Sequence, residues 1–292
     1  MSQVLRRSMR LVLLAVAAFV VALFAGAGFY TDWLWFRGQG YDSAFWTIIL
    51  TQWELRGVVG LAFFVFLFVN LWWTRKSIGD VVQRLDPDQQ YLGWLTAKRV
   101  TLVFGAAAIL VGLMGSSAAS IGWEVVRKFL APSPFGVTDP LFGKDVGFYV
   151  FQLPFYQFAY KLAMSLLVVT LLAVGAMYLA SGSFGFERTS VVLKGRARIH
   201  ISSLLALVFL LKAWGYQLGM YELLYSQRGT VFGAGYTDVH ANLFALKALF
   251  WIAIICAVLV FLAVFAKRTG LHVGGVGGSG VGLPRTLAEV QR

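Results

Sequence analysis

Six long apolar stretches alternate with shorter polar segments along the chain. A bilayer core is about 30 Å thick, so a helix needs roughly 20 mostly apolar residues to cross it. Because backbone polar groups inside a bilayer must bond to one another, each stretch is predicted to be a helix. The alternating pattern typical of a membrane β-barrel does not occur in this sequence. The predicted spans are residues 11–30, 57–73, 100–122, 162–184, 201–221 and 241–266.

The first apolar stretch also has features of a cleaved signal peptide. Basic residues precede it, and the small residues Ala25–Ala27 resemble a cleavage site. Its apolar run is about 20 residues long, whereas the apolar region of a signal peptide has roughly 7–15. We therefore expect an uncleaved membrane anchor. The topology of the other five spans is the same in both interpretations.

The composition agrees with a membrane protein. Of the 292 residues, 59% are hydrophobic and only 13% are charged, whereas an average soluble domain has about 25% charged residues. A soluble enzyme, a disordered chain and a nucleic-acid-binding domain all fit these values poorly. The predicted fold class is therefore all-α, a polytopic membrane helix bundle with six transmembrane helices.

Topology accounts for the net charge of +12. With the N-terminus in the cytoplasm, sixteen of the 25 Lys and Arg residues fall between spans on the inner side and seven fall on the outer side. With the acidic residues included, the inner side has a net charge of +11 and the outer side −1. This bias assigns both termini to the cytoplasm. The bilayer is then the expected partner, and no nucleic-acid partner is needed to explain the basic excess.

Two of the predicted outer segments are too apolar to be free loops. Residues 43–53 either form a short interfacial helix or extend the second span. Four prolines within residues 123–161 argue against one long helix there. We expect the apolar stretch 139–156 to pack on the outer membrane face or on another part of the protein. Asp139 and Asp145 have no EF-hand spacing, so a turn or capping role is preferred over a cation site. In the third outer segment, turns are expected at Gly229, Gly233 and Gly235.

Two lysines lie within predicted spans, in their outer halves: Lys212 in the fifth span and Lys247 in the sixth. A charged residue inside a span costs about 2.5–3.5 kcal/mol on insertion scales. One interpretation is that both side chains snorkel to the outer interface. Another is a basic pocket that opens outward and attracts an anion or a headgroup. The third is a structural ion pair with one of three acidic residues, Glu222, Asp238 or Glu124.

Small residues recur every four positions in the third span, at Gly112, Ser116 and Ser120, which favours close helix packing within the bundle over homodimerisation. The three histidines are scattered, and neither a paired metal-ligand spacing nor a phosphate loop or hydrolase motif occurs. The single cysteine, Cys256, lies in an apolar run and excludes an intrachain disulfide. We therefore predict no catalytic residues, no metal site and no cofactor.

The C-terminal segment, residues 269–292, differs from the spans that precede it. From Gly270 onward, seven of 23 residues are glycine. Such a composition is typical of a flexible segment. Residues 1–268 are thus predicted to form the transmembrane bundle, followed by a flexible cytoplasmic tail.

Several long motifs occur in an order that resembles a known family. They are DWLWF at residues 32–36, FGVTDPLFGKDVGFYVFQLPFY at 135–156, YELLYSQRG at 221–229 and YTDVHANLFALKAL at 236–249. In these motifs the chain resembles the N-terminal membrane region of the bacterial uncharacterised protein family zero-one-eight-two (UPF series). The resemblance implies a plasma-membrane location and an outward-facing partner surface. It also implies a chain truncated before a seventh span and a large extracytoplasmic domain.

Two functions from different classes remain. The first is a non-enzymatic envelope platform whose outer aromatic loops meet a separately encoded remainder of the family protein or another envelope protein. The second is a transporter or channel subunit in which Lys212 and Lys247 line an anion path. Most spans have few polar residues and no internal inverted repeat is evident, which favours the platform.

Overall fold

The computed structural model describes residues 3–82, 97–187, 190–193, 195–226 and 232–265. Within these ranges, six helices are long and apolar enough to cross a membrane, as predicted. These helices are α1 Gln3–Gly38, α2 Asp42–Val82, α3 Ala97–Ser120, α5 Leu153–Ala180, α6 Gly195–Glu222 and α7 Leu243–Phe265, and the short helix α4, Trp123–Leu130, follows α3. The predicted tail, residues 269–292, lies outside the described residues and stays a prediction.

The helices alternate in direction, so the bundle has two ends with different contents. We call the end that carries residues 121–147, 223–226 and 232–242 the loop end. The opposite end carries a short antiparallel hairpin, β1 Phe184–Glu187 and β2 Ser190–Leu193, and we call it the hairpin end. Buried apolar clusters between the two ends join α2 to α3 and α5 to α6.

The second helix is longer than its predicted span. Helix α2 runs without a break for 41 residues, which corresponds to about 60 Å at 1.5 Å per residue. Residues 43–53 therefore extend the second span. The preceding turn, with Gly40 at a φ of 78°, folds α1 back onto the start of α2. There the Trp33 indole N–H donates to Asp42 at 2.8 Å, and the Phe29 and Phe45 rings pack edge to face.

Helices α2 and α3 approach each other closely at small residues. A Cβ on Gly112 would lie 2.9 Å from the carbonyl oxygen of Gly60, and one on Gly60 would lie 3.1 Å from the Cβ of Ser116. Gly115 lies directly against the ring of Phe63. The small-residue stripe of the third span therefore packs within the bundle, as predicted, because only small side chains allow two backbones to come this near.

The hairpin was not expected from the sequence, and it shortens the fourth predicted span. Residues 162–184 were predicted to be helical, but α5 ends at Ala180. Gly182 has a φ of 61°, and the N–H groups of Ser181, Gly182 and Ser183 bond back to the last turn of the helix. This is a glycine-terminated helix end, which overrides the apolar pattern.

Candidate functional site

The loop end has the densest polar and aromatic structure of the described chain. Residues 131–152, Tyr221–Ser226 and residues 232–242 together form what we call the loop-end platform. Residues 131–145 contain no helix, in agreement with the prediction from proline spacing. One π-helical turn, Phe148–Gln152, leads from this segment directly into α5.

Asp139 closes the first turn of the platform. Its carboxylate accepts backbone N–H bonds from Leu141 at 2.8 Å, Phe142 at 2.6 Å and Lys144 at 2.8 Å, and the Tyr149 hydroxyl donates to it at 2.7 Å. Burial raises the pKa of this carboxyl, but the four hydrogen bonds outweigh burial and hold the pKa below its ordinary value. Asp139 therefore acts as an anion that organises the turn.

Asp145 fixes the second turn in the same way. It accepts N–H bonds from Phe135 at 3.1 Å, Gly136 at 2.9 Å and Gly147 at 2.7 Å, and these bonds lower the pKa of its carboxyl. A Cβ on Gly147 would lie 2.6 Å from the carbonyl oxygen of Ser133, so a side chain does not fit there. Both carboxylates thus have the predicted turn role. Among the described residues, no group of three potential metal ligands occurs.

Aromatic rings attach the platform to the helices. The Tyr221 ring at the end of α6 contacts Phe142 and Phe148, with centroid distances of 5.0 and 5.2 Å. Tyr149, next to them, is buried together with Leu153 and Leu218. Edge-to-face ring pairs add about 0.5–1.5 kcal/mol each beyond the area they bury. The segment 139–156 therefore packs on another part of the protein, one of the two predicted outcomes.

Lys247 lies beside the platform. Its exposed side chain lines a groove of about 470 Å³ between α6 and α7, and the other lining residues are apolar or aromatic except for Gln217. Leu141 and Phe142 of the platform, Tyr221 of α6 and Trp251 of α7 form part of these walls. The groove thus places one primary amine among rings, at the loop end.

Lys212 lies elsewhere. Its ammonium is 5.2 Å from the centroid of the Tyr216 ring, and its side chain is exposed. Gly219 of α6 faces Leu246 of α7, so Lys247 is level with about residue 218. Six residues of helix correspond to roughly 9 Å. Lys212 is therefore that much deeper in the bundle than Lys247, and it is not among the residues that line the Lys247 groove.

The three predicted ion-pair partners contact other groups in the described structure. Glu124 forms an ion pair with Lys128 at 2.6 Å, and Glu222 accepts a hydrogen bond from the Gln157 amide at 2.7 Å. Asp238 is buried and accepts from the Gly235 N–H and the Asn242 amide. Within the described ranges, no ion pair links any of them to Lys212 or Lys247.

A polar bridge between helices was missed in the sequence. His200 of α6 bonds through Nδ1 to the Tyr178 hydroxyl of α5 at 3.1 Å and through Nε2 to Asn70 Oδ1 of α2 at 2.9 Å. The Asn70 amide N–H in turn donates to the Phe66 carbonyl at 2.7 Å. In the sequence, Asn70 could have indicated this bridge, because an amide within an apolar span needs a partner from another helix. We call these three side chains the histidine bridge.

Comparisons with known proteins identify the family but no solved fold. A 35% identical protein from Desulforamulus reducens aligns over 94% of this chain and 31% of its own length. Similar proteins from Pelotomaculum thermopropionicum, at 39% identity, and Mycolicibacterium paratuberculosis, at 38%, align over 89% and 90% of this chain. The chain thus spans about a third of the length of these relatives, each named a UPF0182 protein. No solved structure matches.

The family profile covers almost the whole bundle. It matches residues 9–283, and this range includes both turns of the loop-end platform and all three side chains of the histidine bridge. The resemblance of the sequence motifs is thereby confirmed. The chain belongs to the Uncharacterised protein family UPF0182.

Proposed function

We propose that this chain is a multi-pass protein of the bacterial plasma membrane that acts as a non-enzymatic platform. Both termini face the cytoplasm, and the loop end faces outward. Six apolar helices support insertion, and the surplus of basic residues on the hairpin side supports this orientation. The relatives share a family described as uncharacterised, so the role is argued from the residues.

The pre-formed loop-end platform is the observation that carries this proposal. Asp139 and Asp145 together accept six backbone N–H bonds, and Tyr221 attaches the turns to α6. A loop fixed in this way loses little entropy when a partner binds, which favours recognition by a rigid surface. A catalytic role would need a nucleophile or a poised base facing a cleft. The bonded carboxylates organise backbone instead.

The platform exposes several apolar side chains. Phe135, Val137 and Tyr236 are 54%, 61% and 79% exposed. Exposed apolar residues on a rigid surface are typical of protein contact sites. The relatives are about three times as long as this chain, so we propose the remainder of the family protein, or another envelope protein, as the partner.

Single-cysteine labelling tests the orientation. In a Cys256→Ala background, one variant carries Val137→Cys at the loop end and another carries Ala180→Cys at the end of α5. We expect a membrane-impermeant maleimide to label the first in intact spheroplasts and the second only after permeabilisation. Labelling of Ala180→Cys alone from outside would reverse the proposed topology.

Photo-crosslinking tests the platform role separately. Benzoylphenylalanine is placed at Tyr236 on the platform, and at Leu172 on α5 as a control of similar exposure, 79% against 68%. We expect a discrete protein adduct at Tyr236 and none at Leu172. No adduct at Tyr236, or the same adduct at both positions, contradicts a partner surface at the loop end.

The groove at Lys247 supports the alternative, a transporter or channel subunit with a basic pocket. Its amine lies among mostly apolar and aromatic side chains and has no ion-pair partner in the described structure. Lys212, on the other hand, lies about 9 Å deeper, so an anion path would use the two lysines in succession. Anion flux into proteoliposomes that falls in both Lys212→Met and Lys247→Met would favour transport. Absence of flux in the unmodified protein would exclude it.

A further inference from the structure

A cavity of about 200 Å³ lies between α2 and α6 at the hairpin end, away from the platform. It is lined by Trp72, Trp73 and Arg75 of α2 and by Arg196 of α6. Pockets that enclose drug-sized ligands have volumes of about 300–1,000 Å³. This cavity is smaller, so it fits a single compact group.

The histidine bridge determines which residues meet at this cavity. Asn70 of α2 bonds to His200 of α6, and the two helices run in opposite directions. Arg196 lies four residues before His200, and Arg75 lies five residues after Asn70. Both arginines therefore lie about one helical turn from the bridge, on the same side of it. The bridge thus holds two guanidinium groups from separate helices at one opening.

The chemistry of the two arginines suits a phosphate group. The Arg75 guanidinium lies 4.3 Å from the centroid of the Trp72 ring, an arrangement that fixes its orientation. Guanidinium groups present paired N–H donors that match phosphate oxygens. In the part of the chain that the structure describes, no carboxylate forms an ion pair with either arginine. Two cations at one opening therefore favour an anionic ligand.

An apolar stripe leads away from the cavity along α2. Leu61, Val65, Val69 and Trp72 recur at helical spacing, and all four are exposed. Trp72 is at the cavity, and the other three extend toward the middle of the bundle. A ligand that covers both features has a charged end at the arginines and a hydrocarbon part along the stripe.

We propose that this cavity binds the phosphate headgroup of an anionic phospholipid, with its acyl chains along Leu61, Val65 and Val69. Basic pockets between transmembrane helices bind anionic headgroups, and tryptophan prefers the same interfacial depth. The proposal requires that the bundle spans a membrane, but it does not depend on the platform function. It concerns the hairpin end, so its failure leaves the loop-end tests unaffected.

Competitive lipid binding to the purified full-length chain tests this site. Native mass spectrometry compares adducts of phosphatidylglycerol and phosphatidylcholine on the unmodified protein, on Arg75→Gln and on Arg196→Gln. A basic residue near the surface contributes about 1 kcal/mol to binding of anionic lipid, which corresponds to about a fivefold change in affinity. We expect each substitution to reduce the preference for phosphatidylglycerol about fivefold and the double variant to reduce it further.

Arg56→Gln is the matched control. Arg56 lies over the Trp53 ring at 5.1 Å, as Arg75 lies over Trp72, but it is not among the residues that line the cavity. We expect this variant to bind phosphatidylglycerol in preference to phosphatidylcholine as strongly as the unmodified protein does. An unchanged preference in the Arg75/Arg196 double variant overturns the site, and so does an equal loss in Arg56→Gln. Full competition by soluble glycerol phosphate would indicate a free phosphate ligand and would also contradict the lipid.

Discussion

At the loop end, carboxylates bind backbone N–H groups and aromatic rings pack between segments. At the hairpin end, one histidine joins three helices, and arginines surround the opening above it. The first arrangement fixes the shape of a loop, and the second fixes the relative position of helices that carry charge. The loop end therefore suits a partner whose surface matches its shape, and the hairpin end suits a ligand of negative charge.

The largest expected effect is the loss of Asp139 from the loop-end platform. Asp139→Ala removes an anion that accepts three N–H bonds and one hydroxyl bond, and hydrogen bonds to charged groups contribute about 1.5–3 kcal/mol. We expect the free energy of local opening of residues 135–147 to fall by about 2 kcal/mol, as measured by hydrogen exchange. The histidine bridge should keep its protection. Glu54→Ala, at an exposed carboxylate of α2, is the control. Opening of residues 135–147 in both variants would show that the effect does not depend on the hydrogen bonds of Asp139.

Acid should open the same turns without a mutation. The pKa values of Asp139 and Asp145 are lowered from the ordinary 3.8, so their stabilisation is present above that pH and is lost as the pH falls through the lower folded values. We expect faster hydrogen exchange, corrected for intrinsic rates, in residues 135–147 below about pH 4. Equal acceleration throughout α5 would show instead that the whole bundle loosens.

A smaller effect is expected from the histidine bridge. Asn70→Leu removes the bond to His200, and such interhelical bonds contribute about 0.6 kcal/mol on average in membranes. We expect slightly lower thermal stability together with a reduced preference for phosphatidylglycerol, because the two arginines lose their fixed spacing. Gln157→Leu breaks a side-chain bond at the loop end and should leave lipid preference unchanged. An unchanged lipid preference in Asn70→Leu would show that the histidine bridge does not control lipid binding at the cavity.

The smallest effect is expected at Lys212 and Lys247, the two lysines within predicted spans. Lys212 lies over the Tyr216 ring, and such a contact contributes about 0.5–1 kcal/mol at an exposed site. We expect Lys212→Met to lower the free energy of unfolding by about 0.5 kcal/mol and Lys247→Met by less, as measured by thermal unfolding in detergent. A larger loss in Lys247→Met would show that its amine has a structural role at the groove.

The positions of the helices were predictable because a run of about twenty apolar residues that crosses a bilayer must satisfy its own backbone hydrogen bonds, and a helix does so. The predicted span 100–122 agrees with α3 to within three residues at both ends. The predicted span 201–221 ends within one residue of the end of α6, but α6 begins six residues earlier, at Gly195. The end of α5 was not predictable from hydropathy. Gly182, which lies between Ser181 and Ser183, ends it with a positive φ, before the apolar residue Phe184 at which the predicted span ends. Strands of four residues, such as β1 and β2, are also too short to produce a clear pattern.

The contacts of the candidate sites were harder to predict than the helices. The sequence places Lys212 and Lys247 in the outer halves of two spans, but the register of α6 against α7 separates them by six residues. His200 has no sequence neighbour that signals its partners. Tyr178 and Asn70 reach it only because three helices pack together. Asp139 and Asp145 were predictable as turn residues since an aspartate near Pro and Gly commonly accepts nearby N–H groups.

Helix α2 has a mechanical consequence. At about 60 Å it is roughly twice as long as a bilayer's hydrocarbon core is thick, so in a bilayer part of it would project beyond the core or the helix would tilt strongly. A continuous helix transmits displacement along its axis. The same rod carries Asp42, which is bonded to Trp33 near one end, and Arg75 near the other. A displacement at the loop end of α2 and a displacement at its hairpin end therefore act on the same continuous helix.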